Sequence, residues 1–234
     1  MAMREIADSI LYNFSHNKIF SLAKNFLDIT YRLVCNVFMK AEETKNHIIE
    51  VAAPIFNKNG YMGTSLSDIL NQTTLTKGAI YHYFENKDDL ALAALEYNLK
   101  LISKLIFSST KSKSNSCDKL IAFAETFKTH YESIVQMGGC PIINASVDAD
   151  DGNELIKNRI SGFIKMWKKS LKGIVEHGKL NSEIKPDVDS EHFAMNFISL
   201  IEGSIAMSKG MDDRKFLDYA AKLLISNIED MRSK

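Results

Sequence analysis

Lys77, Gly78, Tyr81 and His82 share one side of the segment Thr76–Phe84, and Ile80 and Phe84 occupy the other. A short helix with a buried Ile/Phe seam and a small, polar, aromatic outer face is what reading a DNA groove requires. A second candidate for chemistry is Cys140, in Gly138-Gly139-Cys140-Pro141-Ile142-Ile143-Asn144. A thiol just ahead of a proline-started helix lies where the helix dipole would lower its pKa, which would suit a redox or electrophile switch. The alternative is a small buried residue beside a turn. Asp148, Asp150 and Asp151 cluster nearby, either around a cation or as helix-capping acids of a solvated loop. No HExxH, GxSxG or phosphate-cradling glycine loop occurs, so no enzyme is expected. Cys35, Cys117 and Cys140 have no metal-ligand spacing, and neither a structural zinc nor another cofactor is expected.

The elements that would position these residues are helices. Apolar residues recur at helical spacing through most of the 234-residue chain, three prolines and 11 glycines punctuate it, and no convincing strand appears. The fold class is all-α. Ile48, Ile49, Ala52, Ile55 and Phe56 form one face of a first helix from Glu42, which should kink or turn at Pro54 and stop at Gly60. Thr64 caps a short helix holding Leu66, Ile69 and Leu70, and Thr73-Thr74 forms a tight turn. Thr76 caps the next helix, with Leu75 and Ile80 as a hydrophobic staple. Asn86 caps a fourth helix reaching about Phe107, and Ser108–Ser116 reads as a loop. Further helices are expected at about 118–136, from Pro141, at about 153–177 with Gly178 as the stop, and at about 190–209 and 213–231.

Two short helices joined by a tight turn make a helix-turn-helix. Thr64–Ile69, Leu75–Phe84 and Asn86–Leu90 together resemble the N-terminal domain of the TetR/AcrR family of regulators. The resemblance is specific from about Lys45 to Tyr97 and implies a DNA-binding head over 39–97. It also implies a ligand-binding and dimerisation body over 98–234. Residues 1–38 are an extension, either an added helix or arm or a translated leader ahead of Met39; their frequent charges exclude a membrane span.

On this resemblance Thr64 and Ser65, and then Thr76 and Lys77, offer hydroxyls and donors to phosphate. Gly78 allows close approach to the groove wall, and Tyr81 and His82 touch phosphates or base edges. Lys87 clamps the DNA backbone. The family usually places a small residue and glycine where this chain has Thr73-Thr74, so the turn is either reshaped or strained by a β-branched residue at positive φ. Lysine plus arginine balance aspartate plus glutamate at 29 each, which excludes a general basic coat but permits a local cationic strip. Acids outnumber bases over 42–97, so affinity should depend strongly on salt.

The resemblance further implies a cytoplasmic homodimer that binds a palindromic double-stranded operator and answers a small-molecule effector. Ala194, Phe197, Ile198, Ile201, Ile205 and Ala206, with Phe216, Tyr219, Ala220, Leu223 and Leu224, supply two apolar stripes that face either a partner or the chain's own core. Gly203, Ser204 and Ala206 are small enough for close helix approach. Phe123, Phe127, Tyr131, Phe163 and Trp167 could wall an apolar pocket with Asn144 as its polar contact. The competing reading is a helical small-molecule-binding protein whose head no longer reads DNA.

Overall fold

The structure is a computed structural model that describes residues 18–149 and 153–233. Among them the helices are α1 (Lys18–Asn59), α2 (Leu66–Gln72), α3 (Lys77–Tyr83), α4 (Lys87–Thr110), α5 (Ser116–Thr129) and α6 (Tyr131–Gln136). There follow α7 (Pro141–Asp148), α8 (Glu154–Leu180), α9 (Ser190–Met211) and α10 (Lys215–Met231). Extended pairing in the described residues is limited to one isolated bridge, Ile184 to Arg232. The all-helical expectation therefore holds, and no described helix is long and apolar enough to cross a membrane.

The chain divides into two compact units, residues 1–47 and 48–234. In the first, residues 18–47 are helical, Thr44 donates to the Lys40 carbonyl, and Tyr31, Val34, Val37, Phe38 and Met39 are exposed. Residues 1–17 of the extension fall outside the described residues.

In the second unit the head is built on Ile48, Ala52, Phe56, Ile69, Ile80, Phe84 and Leu90, all buried. The body packs α5 against α4, α8 and α10, and α9 against α8 and α10. Its aromatic centre stacks Phe123 on Trp167 at 5.7 Å between ring centroids, with Phe127 5.6 Å from the same indole. Burying several such rings dominates a core of this size, because each removes on the order of 150–250 Å² from water.

Several boundaries differ from the sequence reading: α1 begins at Lys18 rather than Glu42 and continues through Pro54, and α4 runs on to Thr110, into the expected loop. The helix expected over 118–136 breaks at His130 (φ −101°, ψ 13°) into α5 and α6. Gly178 does not stop α8, which continues to Leu180. A Cβ at 178 would lie 2.6 Å from Ile184 Cδ1 and 2.9 Å from Ser116 Cβ, so glycine is there for close packing. The cap of α2 is Ser65, one residue later than Thr64. Gly60 takes the left-handed conformation expected after α1 (φ 95°).

Candidate nucleic-acid interface

The exposed face of α3 is assembled by what lies beneath it. Ile80 and Phe84 are buried, which turns Lys77, Gly78, Tyr81 and His82 outward, and Tyr81 is 49% exposed. Thr76 has extended backbone, and its hydroxyl accepts from Ala79 N at 3.1 Å, tying off the first turn. Lys77 Nζ lies 5.7 Å from the Tyr81 ring centroid, so cation and phenol form one patch. Gly78 has no atom within 4 Å of the point where a Cβ would sit. Nothing among the described residues requires a glycine there.

The turn before α3 uses side chains where a glycine could have served. Thr73 is extended (φ −134°), and its hydroxyl donates to Ile69 O at 2.7 Å while accepting from Leu75 N at 3.3 Å. Neither Thr73 nor Thr74 has positive φ. Of the two alternatives for this turn, reshaping is the one adopted, and the β-branched residues carry no left-handed strain.

Ser65 is exposed and forms a capping box with Asp68. Its hydroxyl accepts from Asp68 N at 3.1 Å, and Asp68 Oδ2 accepts from Ser65 N at 2.7 Å. The Ser65 hydroxyl, which also donates to Asp68 Oδ2 at 2.7 Å, and then the Ser65 N–H hold the Asp68 carboxyl below its ordinary range. Thr64 is a correction: it is 1% exposed and donates to Gly60 O at 2.5 Å, so its hydroxyl faces inward. Lys87 is also redirected. Its ammonium donates to the carbonyls of Met62 (3.0 Å) and Tyr61 (3.3 Å), binding α4 to the chain ahead of α2.

The residues expected to wall a ligand pocket do not form one together. Phe123, Phe127, Phe163 and Trp167 pack ring against ring in the core. Tyr131 is 6% exposed beneath the Arg214 guanidinium. Asn144 is part of a joint that the sequence reading missed. Its amide donates to Asn57 O (2.9 Å) and Gly138 O (3.0 Å), while Asn57 Nδ2 donates to Met137 O (2.7 Å) and Gly139 O (2.9 Å).

Lys209 of α9 also donates to Gly138 O, and Asp148 accepts from Met62 N at 2.6 Å. The turn between α6 and α7 thus grips the end of α1 from one side and α9 from the other. Asp148 is accounted for by this contact, Asp150 and Asp151 lie outside the described residues, and no acid/His/Cys cluster suited to a metal occurs among those described.

Cys140 is the second correction. It caps α7, but it is 2% exposed and its thiol donates to Glu202 Oε1 at 3.3 Å. Burial first, and the Glu202 carboxyl second, push the thiol well above its ordinary value, overriding the helix dipole. Burial likewise raises Glu202 to about 7, and its Oε2 has no hydrogen-bond partner among the described residues.

An acid raised in the folded state is bound to its proton longer than in the unfolded chain. Stability from this group is therefore lost as pH rises from about 4.5 to about 7. Glu202→Gln is expected to flatten that dependence and to raise stability at pH 8 by on the order of 2–4 kcal/mol. Urea unfolding at pH 5 and pH 8 measures both.

Two short helices with capped starts, a sealed hydrophobic seam and an open polar face, joined to a helical body, define a helix-turn-helix regulator. Residues 48–94 match the family described as bacterial regulatory proteins, tetR family, and residues 116–224 match the tetracyclin repressor-like C-terminal domain. The chain belongs to the TetR family of transcriptional regulators. The crystal structure of a TetR-family regulator from Cytophaga hutchinsonii is 33% identical, with a TM-score of 0.78, covering 83% of this chain and 98% of that one. An uncharacterized HTH-type regulator in the lacX 3′ region of Lactococcus lactis subsp. lactis is 26% identical over 82% of this chain and 96% of its own. The HTH-type transcriptional repressor DhaR of Mycobacterium sp. (strain GP1) is 21% identical over 77% of this chain and 89% of its own.

Proposed function

We propose that the chain is a repressor that binds a palindromic double-stranded DNA operator as a homodimer and is released by a small molecule acting on its body. The observation that carries the reading is the outer face of α3, where Thr76, Lys77, Gly78, Tyr81 and His82 are presented over a locked Ile80/Phe84 seam. Ser65 at the start of α2 is also exposed and completes the phosphate-facing set. The repressor sign follows the likeness to DhaR. The unstrained Thr73-Thr74 turn removes the main support for a head that no longer reads DNA.

Pairing is assigned to α9 and α10. Ala194, Phe197, Ile201, Ile205, Ala220 and Leu224 face the chain's own core, whereas Met195, Met207, Phe216, Tyr219 and Leu223 are exposed. Gly203, on the exposed side of α9, has no atom within 4 Å of a would-be Cβ. Ser204 turns inward, donating to Ile201 O at 2.9 Å. A two-fold pair would set the α3 helices about one helical turn of DNA apart or somewhat more.

The signal we assign is non-covalent, because an electrophile needs an accessible thiolate and Cys140 offers a buried thiol. The route to the head is the joint at Gly138, through which a shift of α7 moves the end of α1. Selection from random or genomic DNA with wild-type protein and Tyr81→Ala at fixed salt tests the reading. We expect wild type to enrich a palindrome and Tyr81→Ala to lose it, each base contact contributing about 1–3 kcal/mol. No enriched sequence from a folded dimer would replace the repressor with a ligand-binding module.

A further inference from the structure

Glu202 lies on the inner side of α9, 5% exposed, in company with the buried Ile201, Ser204 and Ile205. One carboxyl oxygen, Oε1, accepts from the Cys140 thiol at 3.3 Å. The other, Oε2, has no hydrogen-bond partner among the described residues. A thiol is a weak donor, and a buried carboxylate with nothing better to bond is far costlier than the neutral acid. Burial accordingly keeps the proton on Glu202 up to about 7.

The place of this acid gives it a task. Cys140 caps α7 two residues after Gly138, whose carbonyl receives both Asn144 and Lys209. Lys209 follows Glu202 by two turns of α9, about 10 Å along the axis. α9 therefore touches the α6–α7 turn twice, through a thiol–carboxyl contact and an ammonium–carbonyl bond. The turn, with Gly138 and Gly139 at φ 101° and 104°, passes the contact to α1 through the Asn57 amide, which donates to Met137 O and Gly139 O. Beyond the thiol, Cys140 and Asp148 both act on the buried Tyr61 phenol, which accepts from the Asn98 amide at 3.0 Å.

No cation compensates Glu202. Among the described residues, Cys140 is the titratable group that acts on it. Lys168 and Lys172 of α8 are engaged by Glu191, and Arg159 by Glu96. Arg214, ahead of α10, is engaged by Asp218 and the Lys128 carbonyl, and Lys209 of α9 itself by Gly138 O.

We propose that Glu202 is a proton-operated latch on the joint between head and body, closed while its carboxyl is neutral and released when it ionises, so that the operator is held less tightly as pH rises. An ionised Glu202 needs water, and it gains water by parting α9 from the capped start of α7. That movement disturbs the contacts that seat the turn on the end of α1. The latch goes beyond release by a small molecule, and it rests on the repressor reading for its consequence at the operator.

Full-length wild type and Glu202→Gln are compared at pH 6 and pH 8 at one ionic strength. Glutamine keeps the shape of the side chain and cannot ionise. Two quantities are read: affinity for a selected DNA site, and hydrogen exchange of residues 56–62 and 136–145, corrected for the intrinsic pH dependence of exchange. Groups on the DNA face, His82 among them, are the same in both proteins, so the variant subtracts their response. Between the two pH values, we expect wild type to lose about tenfold more operator affinity than the variant. Its joint should also exchange about tenfold faster than the variant's at pH 8.

Equal exchange of the joint in the two proteins at pH 8 overturns the latch. A joint that loosens in wild type alone, with operator affinity that follows the variant's, overturns its consequence for DNA. Failure of wild type to bind any selected DNA at either pH fails the repressor reading itself, while the exchange comparison still decides the latch.

Discussion

Gly78→Leu is expected to leave the protein folded and to abolish operator binding. The position lies in the first turn of an exposed helix with open space around its would-be Cβ, so the leucine meets nothing among the described residues. Helix propensity alone favours the change by roughly 0.5–1 kcal/mol, and Tm should hold or rise slightly. On DNA the added side chain occupies the space between the helix backbone and the groove wall. It also separates Lys77, Tyr81 and His82 from their partners. With each base contact worth about 1–3 kcal/mol and two heads affected in the proposed dimer, operator affinity should fall more than about a hundredfold. Thermal unfolding and a DNA titration on one preparation measure both quantities. Undiminished DNA affinity would remove α3 from the groove.

Gly138→Ala should do the opposite, striking the fold through the joint. Gly138 has φ 101°, and a Cβ would stand 2.8 Å from both N and Cα of Lys58. Backbone cannot step aside as a side-chain tip can. Left-handed strain of about 1–3 kcal/mol adds to overpacking of similar size. A loss of roughly 2–5 kcal/mol should lower Tm by about 5–15 °C. The neighbouring Gly139 has the same backbone hand, φ 104°, but its Cβ would meet chiefly the flexible end of Lys209 at 3.1 Å. Gly139→Ala is the built-in comparison and should be milder. Equal Tm values for the two variants would show that the Lys58 backbone is not what Gly138 accommodates.

Local signals told most about the head. Thr76, Leu75, Ile80 and Asn86 announce their helices by residue type and spacing, and the structure uses Thr76 and Asn86 as caps. The cap of α2 is ambiguous by residue type because Thr64 and Ser65 are adjacent hydroxyls. Asp68, three residues after Ser65, held the capping-box information that decides between them. What sequence could not supply was depth. Cys140 has the local setting of an activated thiol, and only the approach of α9, with Glu202, shows that desolvation outweighs the dipole.

The aromatic residues of α5 and α8 are equally ambiguous, since spacing shows which side of a helix they share but not whether space is left between them. The joint at Gly138 was invisible for a similar reason. It pairs Asn57 with residues 80 or more positions away, and neither asparagine belongs to a recognisable local motif.

The shared carbonyl of Gly138 has a thermodynamic corollary. Asn144, which holds the head, and Lys209, which belongs to the helix assigned to subunit pairing, donate to the same oxygen. Two equilibria that draw on one bonded group are not independent, and linkage makes their influence reciprocal. Whatever factor separates the operator affinity of the paired protein from that of a lone subunit, the operator must return to the pairing constant. In the proposed dimer, DNA is then an assembly factor as well as a target. An effector that loosens the grip on DNA would correspondingly loosen the association of the two subunits while they are bound to it.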